Sequence, residues 1–287
     1  MANTISTLAM FTTYVPTAIG SDFDTISPYI TKAERTIKAN LTGKALYDEI
    51  IASTDNEELK DALLSLVCNT AYHSAIPFVD LIQTPNGFAV VNNSNQAPAS
   101  KERVERLLQQ VEKEISENTD YILSAVIEST ALIAKWSEVP TFLKQTNSLF
   151  ITGAEFANAV GFLFENQRKE FLYAKSHILS WEYTIIRDVI GTNLHRQIIE
   201  QRRDATISEK NKKIMHMCYT LLAHLWVNRN EAGEQVDKVT RKLKDSIIRY
   251  LNENKADYLA YTSSAEYIAR EAPVYENKAS DSTFFSC

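Results

Sequence analysis

The sequence is poor in the residues that end helices and build loops. Only 7 glycines and 7 prolines occur among its 287 residues, so we expect long regular elements rather than many turns. Its three cysteines, Cys68, Cys218 and Cys287, are too few and too far apart for a disulfide framework or a zinc cluster. Cys68 and Cys218 lie in apolar stretches, where we expect free, buried thiols in a reducing cytoplasm.

A strong basic excess is also missing. The chain has 36 acidic and 30 basic residues, a formal net charge of -6, so a broad footprint for a phosphate backbone is not expected. Two basic stretches, 210–216 and 241–249, are interpreted as solvated helix faces, with a nucleic-acid site as the alternative. The sequence has no run of 18 apolar residues, so no membrane span is predicted. Residues 1–16 lack the pattern of a secretion signal.

Motifs of enzymes and metal sites are absent from the sequence. It contains no His-Glu-x-x-His, Gly-x-Ser-x-Gly, Walker or dinucleotide-binding pattern. His73 and His224 lie on apolar stretches and are expected to be packed and hydrogen-bonded rather than metal ligands. Glu112, Glu114 and Glu117 indicate a charged helix face rather than a catalytic pair. We therefore predict a protein that is not an enzyme and binds no cofactor or metal, with a hydrolase of unrecognised carboxylate site as an alternative.

A repeated helical pattern is what the sequence does contain. Residues 33–51 align without a gap on residues 181–199, with seven identical positions. In both copies an apolar stripe at helical spacing predicts a helix, which Gly43 or Gly191 is expected to end. Two weaker matches follow in the same order: 57–76 with 208–227, and 103–115 with 235–247.

This pattern predicts a mostly α-helical fold of two tandem, internally duplicated helical-bundle units. The predicted parts are an N-terminal arm (1–19), a first unit (20–135), a connector (136–151), a second unit (152–262) and a C-terminal tail (263–287). The connector is too apolar for a free linker, so we expect it to pack against both units. Thr152 and Glu155 fit a capping box that opens the long helix of the second unit, and Ser100 and Ser208 are predicted helix caps.

The two predicted units differ most between their third and fourth helices. The second unit has a short turn at 228–234, whereas the first has an insertion at 77–99 in which two β-prone runs flank Pro85-Asn86-Gly87. This arrangement predicts a β-hairpin. Because a two-stranded ribbon alone is marginally stable in water, its apolar side needs a partner, either the helices of the same chain or, as we favour, a neighbouring subunit. The predicted contact residues here are Phe78, Leu81, Ile82, Pro85, Asn86, Gly87, Phe88, Val90 and Val91.

The C-terminal stretch 272–287 has no helical period and is polar, yet it contains Phe284 and Phe285 close to its end. Two interpretations stay open, a frayed terminus and a segment that docks into a groove by strand addition. Under the second interpretation both phenylalanines are contact residues.

Two segments carry a family resemblance. "SDFDTISPYITKAERTIKANLTGKALYDEI" (21–50) has the pattern Ser-x-Phe-x-x-Ile-x-Pro-x-Ile-x-x-Ala-Glu, then Gly-x-x-Leu-Tyr. Together with "TPNGFAVVNNSNQAPASKERV" (84–104) it resembles a family of phage and prophage proteins from Bacteroides-type hosts, the head–tail connector (neck ring) proteins of crAss-like phages. The resemblance covers most of the chain and consists of packing and turn residues rather than catalytic ones.

The resemblance implies a structural virion protein. Such connectors form a homo-oligomeric ring, commonly a dodecamer, between the capsid portal and the tail, where they extend the DNA channel and serve as a tail-attachment platform. The implied partners are the portal protein and other neck and tail ring proteins, with non-specific proximity to genomic double-stranded DNA and no membrane. The implied location is the virion neck, and the host cytoplasm during assembly. A non-viral helical adaptor, which would bind a partner through the hairpin and the groove between the units, is the alternative.

Overall fold

The computed structural model describes residues 3–79, 99–231 and 233–272, together with two short strands at 82–84 and 87–89. Within these residues the chain is mostly helical, as predicted. The buried apolar side chains form two clusters, which divide the helices into two bundles. We name residues 3–147 the N-terminal bundle and residues 148–272 the C-terminal bundle.

The N-terminal bundle contains seven α-helices within the described residues. They are α1 (Leu8–Tyr14), α2 (Phe23–Ile37), α3 (Gly43–Ala52), α4 (Glu57–Val79), α5 (Lys101–Ile127), α6 (Thr130–Ser137) and α7 (Pro140–Gln145). A 3-10 turn (Pro16–Ala18) follows α1, and a π-helical turn (Lys38–Thr42) joins α2 to α3. Helix α4 lies at the centre between α2 and α5, with Leu63 and Val67 fully buried. Residues 1–19, predicted as an arm, include α1, whose Phe11 is fully buried in this core.

The C-terminal bundle contains eight α-helices within the described residues. They are α8 (Gly153–Val160), α9 (Gln167–Trp181), α10 (Arg187–Ile190), α11 (Thr192–Arg203), α12 (Glu209–Val227), α13 (Glu234–Glu253), α14 (Leu259–Thr262) and α15 (Ala265–Glu271). A π-helical turn (Glu182–Ile186) links α9 to α10, so these form one continuous helix, and a 3-10 turn (Lys255–Asp257) precedes α14. The core is centred on α12, where Cys218, Leu221 and Leu222 are fully buried.

Both predicted helix-ending glycines have backbones that other residues rarely adopt. Gly43 has φ 70° and ψ 172°, and Gly191 has φ 80° and ψ 146°, close to a region that is essentially restricted to glycine. A Cβ would also have no room, because it would lie 2.2 Å from Val139 Cγ2 at position 43 and 2.3 Å from Ser264 Oγ at position 191. The prediction that these glycines end the two helices is confirmed.

Helix caps agree with the sequence in part. The capping box of Thr152 and Glu155 is present, but it opens the eight-residue α8; the long helix α9 starts later and is capped by Asn166. The Ser208 side chain accepts a hydrogen bond from Asn211 N, as a cap should. Ser100 lies at the N-cap of α5, yet its side chain makes no cap hydrogen bond.

The connector packs against both bundles, as predicted. Trp136 and Phe142 belong to the N-terminal core, and their ring centroids are 5.1 Å apart in an edge-to-face arrangement. Leu149 and Phe150 belong to the C-terminal core and are fully buried. Segment 136–151 therefore ties the two bundles together by apolar burial.

Helix α4 is long and apolar enough to cross a membrane by length and composition alone, with a mean hydropathy of 1.3 over 18 residues. Of that window, 44% is buried inside the protein. A central helix of a bundle has the same two properties, because it contacts neighbouring helices on most of its surface.

Candidate interaction surfaces

The end of α4 presents apolar side chains to solvent. The last turn of this helix leaves the core after Ala75, which is 1% exposed, and Phe78 and Val79 are 65% and 53% exposed. The ring of Phe78 lies 6.1 Å from that of Tyr29 on α2, which covers only one side of it. We call Phe78, Val79 and the strand pair that follows them the arm tip.

The predicted β-hairpin is wrong in extent. The structure contains an antiparallel pair of three-residue strands, β1 (Ile82–Thr84) and β2 (Gly87–Ala89), in which Gln83 is opposite Phe88. Phe78, predicted as a hairpin residue, belongs instead to α4. Pro77 removes one backbone hydrogen bond of α4 without ending the helix, and the ring of the next residue, Phe78, lies beside that of Tyr29 on α2.

The other predicted contact residues fall into two groups. Ile82, Gly87 and Phe88 lie in the short strands. The rest lie outside the described residues: Leu81, Pro85, Asn86, Val90, Val91, Phe284 and Phe285.

A second surface, which the sequence did not reveal, joins the two bundles. Arg168 at the start of α9 donates a hydrogen bond to Asp120 of α5 across 2.8 Å, and both side chains are nearly buried. The backbone N–H of Ala154 also donates to Asp120, across 3.2 Å. Next to this pair, Lys169 Nζ lies 2.9 Å from Glu112 Oε2 in a more exposed ion pair. We call this arrangement of α5 against the start of α9 the inter-bundle contact.

The two carboxylates of the inter-bundle contact have opposite pKa shifts. The hydrogen bond from Lys169 holds the pKa of Glu112 below its usual value, because it favours the charged form. Burial raises the pKa of Asp120, although the attraction of Arg168 and the backbone donors oppose this. Glu112 therefore stabilises the contact in its charged form. For Asp120, much of the attraction to Arg168 only offsets the cost of removing the Asp120 carboxylate from water.

The loop between α8 and α9 lies beside the inter-bundle contact. Its Phe162 and Leu163 are 55% and 97% exposed, while Phe164 stacks on Phe156 of α8 with ring centroids 5.9 Å apart. Two cavities, of about 450 and 410 Å³, lie along the same edge, and both are lined by Lys113, Phe164 and Glu165. Phe162 and Leu163 are thus two adjacent exposed apolar side chains in this loop.

Charge is distributed unequally between the two bundles. Residues 1–147 carry 18 acidic and 11 basic side chains, a net charge of -7, whereas residues 148–272 carry 16 acidic and 18 basic ones, a net charge of +2. Much of the basic excess is on α13, where five basic residues and one acidic residue lie between positions 238 and 249. In the part of the chain that the structure describes, none of these five forms an ion pair.

The histidines and cysteines singled out in the sequence lie at the surfaces and in the cores of the bundles. His73 Nε2 lies 3.5 Å from Glu112 Oε1 and is partly exposed, and His224 Nε2 lies 3.4 Å from the carbonyl oxygen of Val236. Cys68 and Cys218 are free and buried, as predicted, and burial raises the pKa of the Cys68 thiol to about 12. Among the described residues, no group of three or more His, Cys, Asp or Glu side chains is arranged to hold a metal ion.

These features define a mostly helical protein of two bundles with an apolar arm tip and a basic stretch, 238–249, on α13. The chain belongs to the Family of unknown function (DUF6712), whose model matches residues 20–127 and 229–271, just over half of the sequence. No curated protein and no solved structure matches the chain. The matched ranges contain α2 to α5 and α13 to α15, so the family pattern includes both α4 and α13.

Proposed function

We propose that the protein is a structural subunit of a bacteriophage virion that forms a ring between the capsid portal and the tail. The observation that carries the proposal is the arm tip, where an exposed Phe78 and Val79 lead directly into the strand pair of the insertion. Exposed apolar side chains at the end of a helix gain free energy when a second surface removes them from water. The resemblance of residues 21–50 and 84–104 to neck ring proteins agrees with such a subunit contact.

We also infer that the two bundles arose by duplication of one helical unit. Each bundle begins with a short helix capped by a threonine, Thr7 in one and Thr152 in the other. Four residues later, Phe11 and Phe156 are both fully buried. A π-helical turn in the next helix and a glycine of positive φ then follow in both. On this inference the segment at 80–98 is an insertion that the second unit lacks, as expected for a specific contact on a repeated scaffold.

The proposal assigns the remaining roles. The ring, twelve-fold on the resemblance, extends the DNA channel and provides a platform for other neck and tail ring proteins. Its partners are further copies of itself and the portal protein, and its place is the virion neck after assembly in the host cytoplasm. A subunit of this kind needs no catalytic group and no cofactor. The net charge of -6 suits a channel wall, because a polyanionic genome does not adhere to it.

Removal of the arm tip tests the proposal. We expect a chain lacking residues 80–95 to keep the helical circular dichroism and melting temperature of the wild type, since on the inferred duplication the second unit has no counterpart of this segment, and to lose assembly. Phe78→Ser with Val79→Ser should have the same effect. Val227→Ser is the matched control, because Val227 ends α12 and is 42% exposed; it should change neither property.

The alternative, a non-viral helical adaptor, makes a different prediction. An adaptor would be a monomer at all concentrations, and the deletion would then leave its solution mass unchanged. Loss of helix content on deletion would show instead that the insertion belongs to the core. Either result would contradict the role proposed for the arm tip.

A further inference from the structure

A groove between α2 and α3 opens on the surface of the N-terminal bundle. It contains a cavity of about 690 Å³, a size at which proteins bind small ligands or inserted side chains. Ala39, Tyr47 and Ile51 supply apolar wall, and Asn3 and Thr4, at the start of the described chain, also line it. We call this cavity and its lining the α2–α3 groove.

A buried carboxylate in the groove has one oxygen that is poorly satisfied. Glu34 lines the groove and is 7% exposed, and its Oε1 accepts a hydrogen bond from Thr4 N across 2.6 Å. Within the described residues the contact of Oε2 is Lys38 Nζ at 3.6 Å, which is too long for a hydrogen bond. Because buried polar atoms are normally hydrogen-bonded, this oxygen can take a donor from a bound ligand.

The matching carboxylate of the C-terminal bundle uses both of its oxygens. Glu182 Oε1 accepts a hydrogen bond from Leu149 N, and Glu182 Oε2 lies 3.1 Å from His195 Nε2. In the aligned repeat Tyr47 takes the position of His195, but its hydroxyl lies 3.1 Å from Thr4 Oγ1 instead. The place that the imidazole takes beside one carboxylate is thus left for another group beside the other.

The groove presents the partners that a polypeptide backbone needs. In both bundles the buried glutamate already accepts a backbone N–H from a segment outside the helices, that of Thr4 or that of Leu149. A second segment in the groove can donate to the poorly satisfied oxygen in the same way. Arg35, Lys38 and Lys44 also line the groove and can donate to carbonyl or carboxylate oxygens of that segment. The ligand class that fits is therefore a peptide.

The C-terminal stretch 273–287, which lies outside the described residues, has the composition for this groove. Three basic and two acidic side chains line the groove, whereas the stretch contains two acidic residues and one basic residue, so the net charges are opposite. The adjacent Phe284 and Phe285 supply apolar side chains for the wall formed by Ala39, Tyr47 and Ile51.

The stretch is also long enough to reach another molecule. It follows α15, which contacts α10 of the C-terminal bundle and is held there by a hydrogen bond from Arg270 to the Asp188 carbonyl oxygen. The 12 residues from position 272 to Phe284 span up to about 40 Å when extended. That exceeds the length of about 30 Å of a 20-residue helix.

We propose that residues 273–287 of one copy bind in the α2–α3 groove of a second copy, with Phe284 and Phe285 against its apolar wall. This proposal rests on the proposed function, since it names a contact through which the ring forms. The groove belongs to the N-terminal bundle, and the tail leaves the C-terminal bundle. The contact therefore joins two different surfaces head to tail, and it generates a closed ring when the rotation between copies closes.

A photo-reactive group in place of Phe284 tests the contact directly. Full-length chains carrying Phe284→p-benzoylphenylalanine are prepared with light and with heavy nitrogen, mixed as dissociated subunits, allowed to assemble and irradiated. Mass spectrometry of the digested products should show cross-links to peptides from residues 31–51. Pairs that join a light tail to a heavy groove peptide are expected, because the tail binds a second copy.

A variant that fills the groove gives an independent measurement. Ala39→Trp places an indole in the groove from an exposed position, so the concentration needed for assembly, followed by light scattering, should rise by about ten-fold or more. Ala45→Trp is the matched control, because Ala45 is exposed on the neighbouring α3 but does not line the groove. Unchanged circular dichroism and melting temperature show that both variants are folded.

The tail variant Phe284→Ser with Phe285→Ser should weaken assembly as much as Ala39→Trp does. If the tail and the groove contact each other, combining all three substitutions should add little to either effect alone, since the same contact is already lost. Effects that multiply would show that the tail and the groove act at separate surfaces, and would overturn the proposal.

The remaining outcomes separate the contact from the function. If the wild type assembles but light tails cross-link only to light groove peptides, the tail folds back on its own chain, and the contact between copies is wrong while the ring proposal stands. Cross-links outside residues 31–51 together with normal assembly of Ala39→Trp would reject the groove and also leave the ring. If the wild type is a monomer at every concentration up to its solubility limit, both proposals are wrong.

Discussion

In each bundle the first segment of the chain is hydrogen-bonded to a buried glutamate, but the groups around this glutamate differ between the N-terminal and C-terminal bundles. In the N-terminal bundle, the buried Glu34 accepts a hydrogen bond from Thr4 N across 2.6 Å. In the C-terminal bundle, the buried Glu182 accepts hydrogen bonds from Ser148 Oγ and Leu149 N, at 2.6 and 2.9 Å. A carboxylate on the long helix thus holds the chain that enters each bundle, because it satisfies backbone donors that would otherwise be buried without partners.

The C-terminal bundle adds charged groups around this carboxylate. His195 Nε2 lies 3.1 Å from Glu182 Oε2, and both side chains are buried. Arg202, 6% exposed, donates hydrogen bonds to Glu155, to the carbonyl oxygen of Leu149 and to the Tyr219 hydroxyl. The comparison teaches that a small helical bundle tolerates a modestly or a strongly charged interior. It also indicates that single substitutions should disturb the C-terminal bundle more.

The largest effect is expected from Arg202→Ala. Removal of this guanidinium breaks its ion pair with Glu155 and leaves the Tyr219 hydroxyl as the remaining donor to the carbonyl oxygen of Leu149. Breaking a buried ion pair costs about 3 kcal/mol or more. Thr54→Ala is the control, because Thr54 lies in the N-terminal bundle and is exposed; its effect should stay within about 0.5 kcal/mol. Urea unfolding measures the free energy of unfolding of both variants. Equal values would contradict the expectation that substitutions disturb the C-terminal bundle more.

The matching glycines should give a smaller and nearly equal effect. Gly43→Ala and Gly191→Ala each force an alanine into a positive φ and place a Cβ against Val139 or Ser264, for which we expect a loss of about 2 kcal/mol each. Gly161→Ala is the control, since Gly161 has φ 76° but no atom within 4 Å of its Cβ position; it should cost about 1 kcal/mol.

The unfolding free energies of the three glycine variants decide whether the glycines are equivalent. Combining Gly43→Ala with Val139→Ala should restore part of the loss, because it removes the clash and leaves the φ strain. A harmless substitution at one glycine and a severe one at the other would contradict the equivalence of positions 43 and 191.

The smallest effect concerns the ion pair of Lys169 with Glu112. Both side chains are substantially exposed, so Lys169→Ala should lower the free energy of unfolding by less than about 1 kcal/mol at neutral pH. The folded-state pKa of Glu112 is lowered. The stability that its charged carboxylate contributes is therefore present above the unfolded-state pKa of Glu112 and is lost as the pH falls through the folded-state pKa.

The difference between the wild type and Lys169→Ala should therefore vanish in acid. Unfolding curves at neutral and acidic pH measure it, with Lys238→Ala as the control, because Lys238 is an exposed lysine without an ion pair in the described residues. A difference that persists in acid would mean that Lys169 acts by packing rather than by its charge.

The sequence predicted the features that local chemistry determines. The apolar stripe of α2, the glycines at 43 and 191 and the Thr152 capping box depend on neighbours a few residues away, and each is present. The extent of the hairpin was wrong because α4 continues to Val79, and the neighbour that Phe78 contacts there, Tyr29, is far away in the sequence. Arg168 and Asp120 could not be paired for the same reason, since 48 positions separate them.

The central claim is that this two-bundle chain is the subunit of a closed ring. Light scattering during size-exclusion chromatography of the full chain, over a range of protein concentrations at low salt, tests it most directly. We predict one large species with a fixed number of copies that dissociates as salt screens the contacts. A single species with the 32.5 kDa mass of one chain under all of these conditions would contradict the claim.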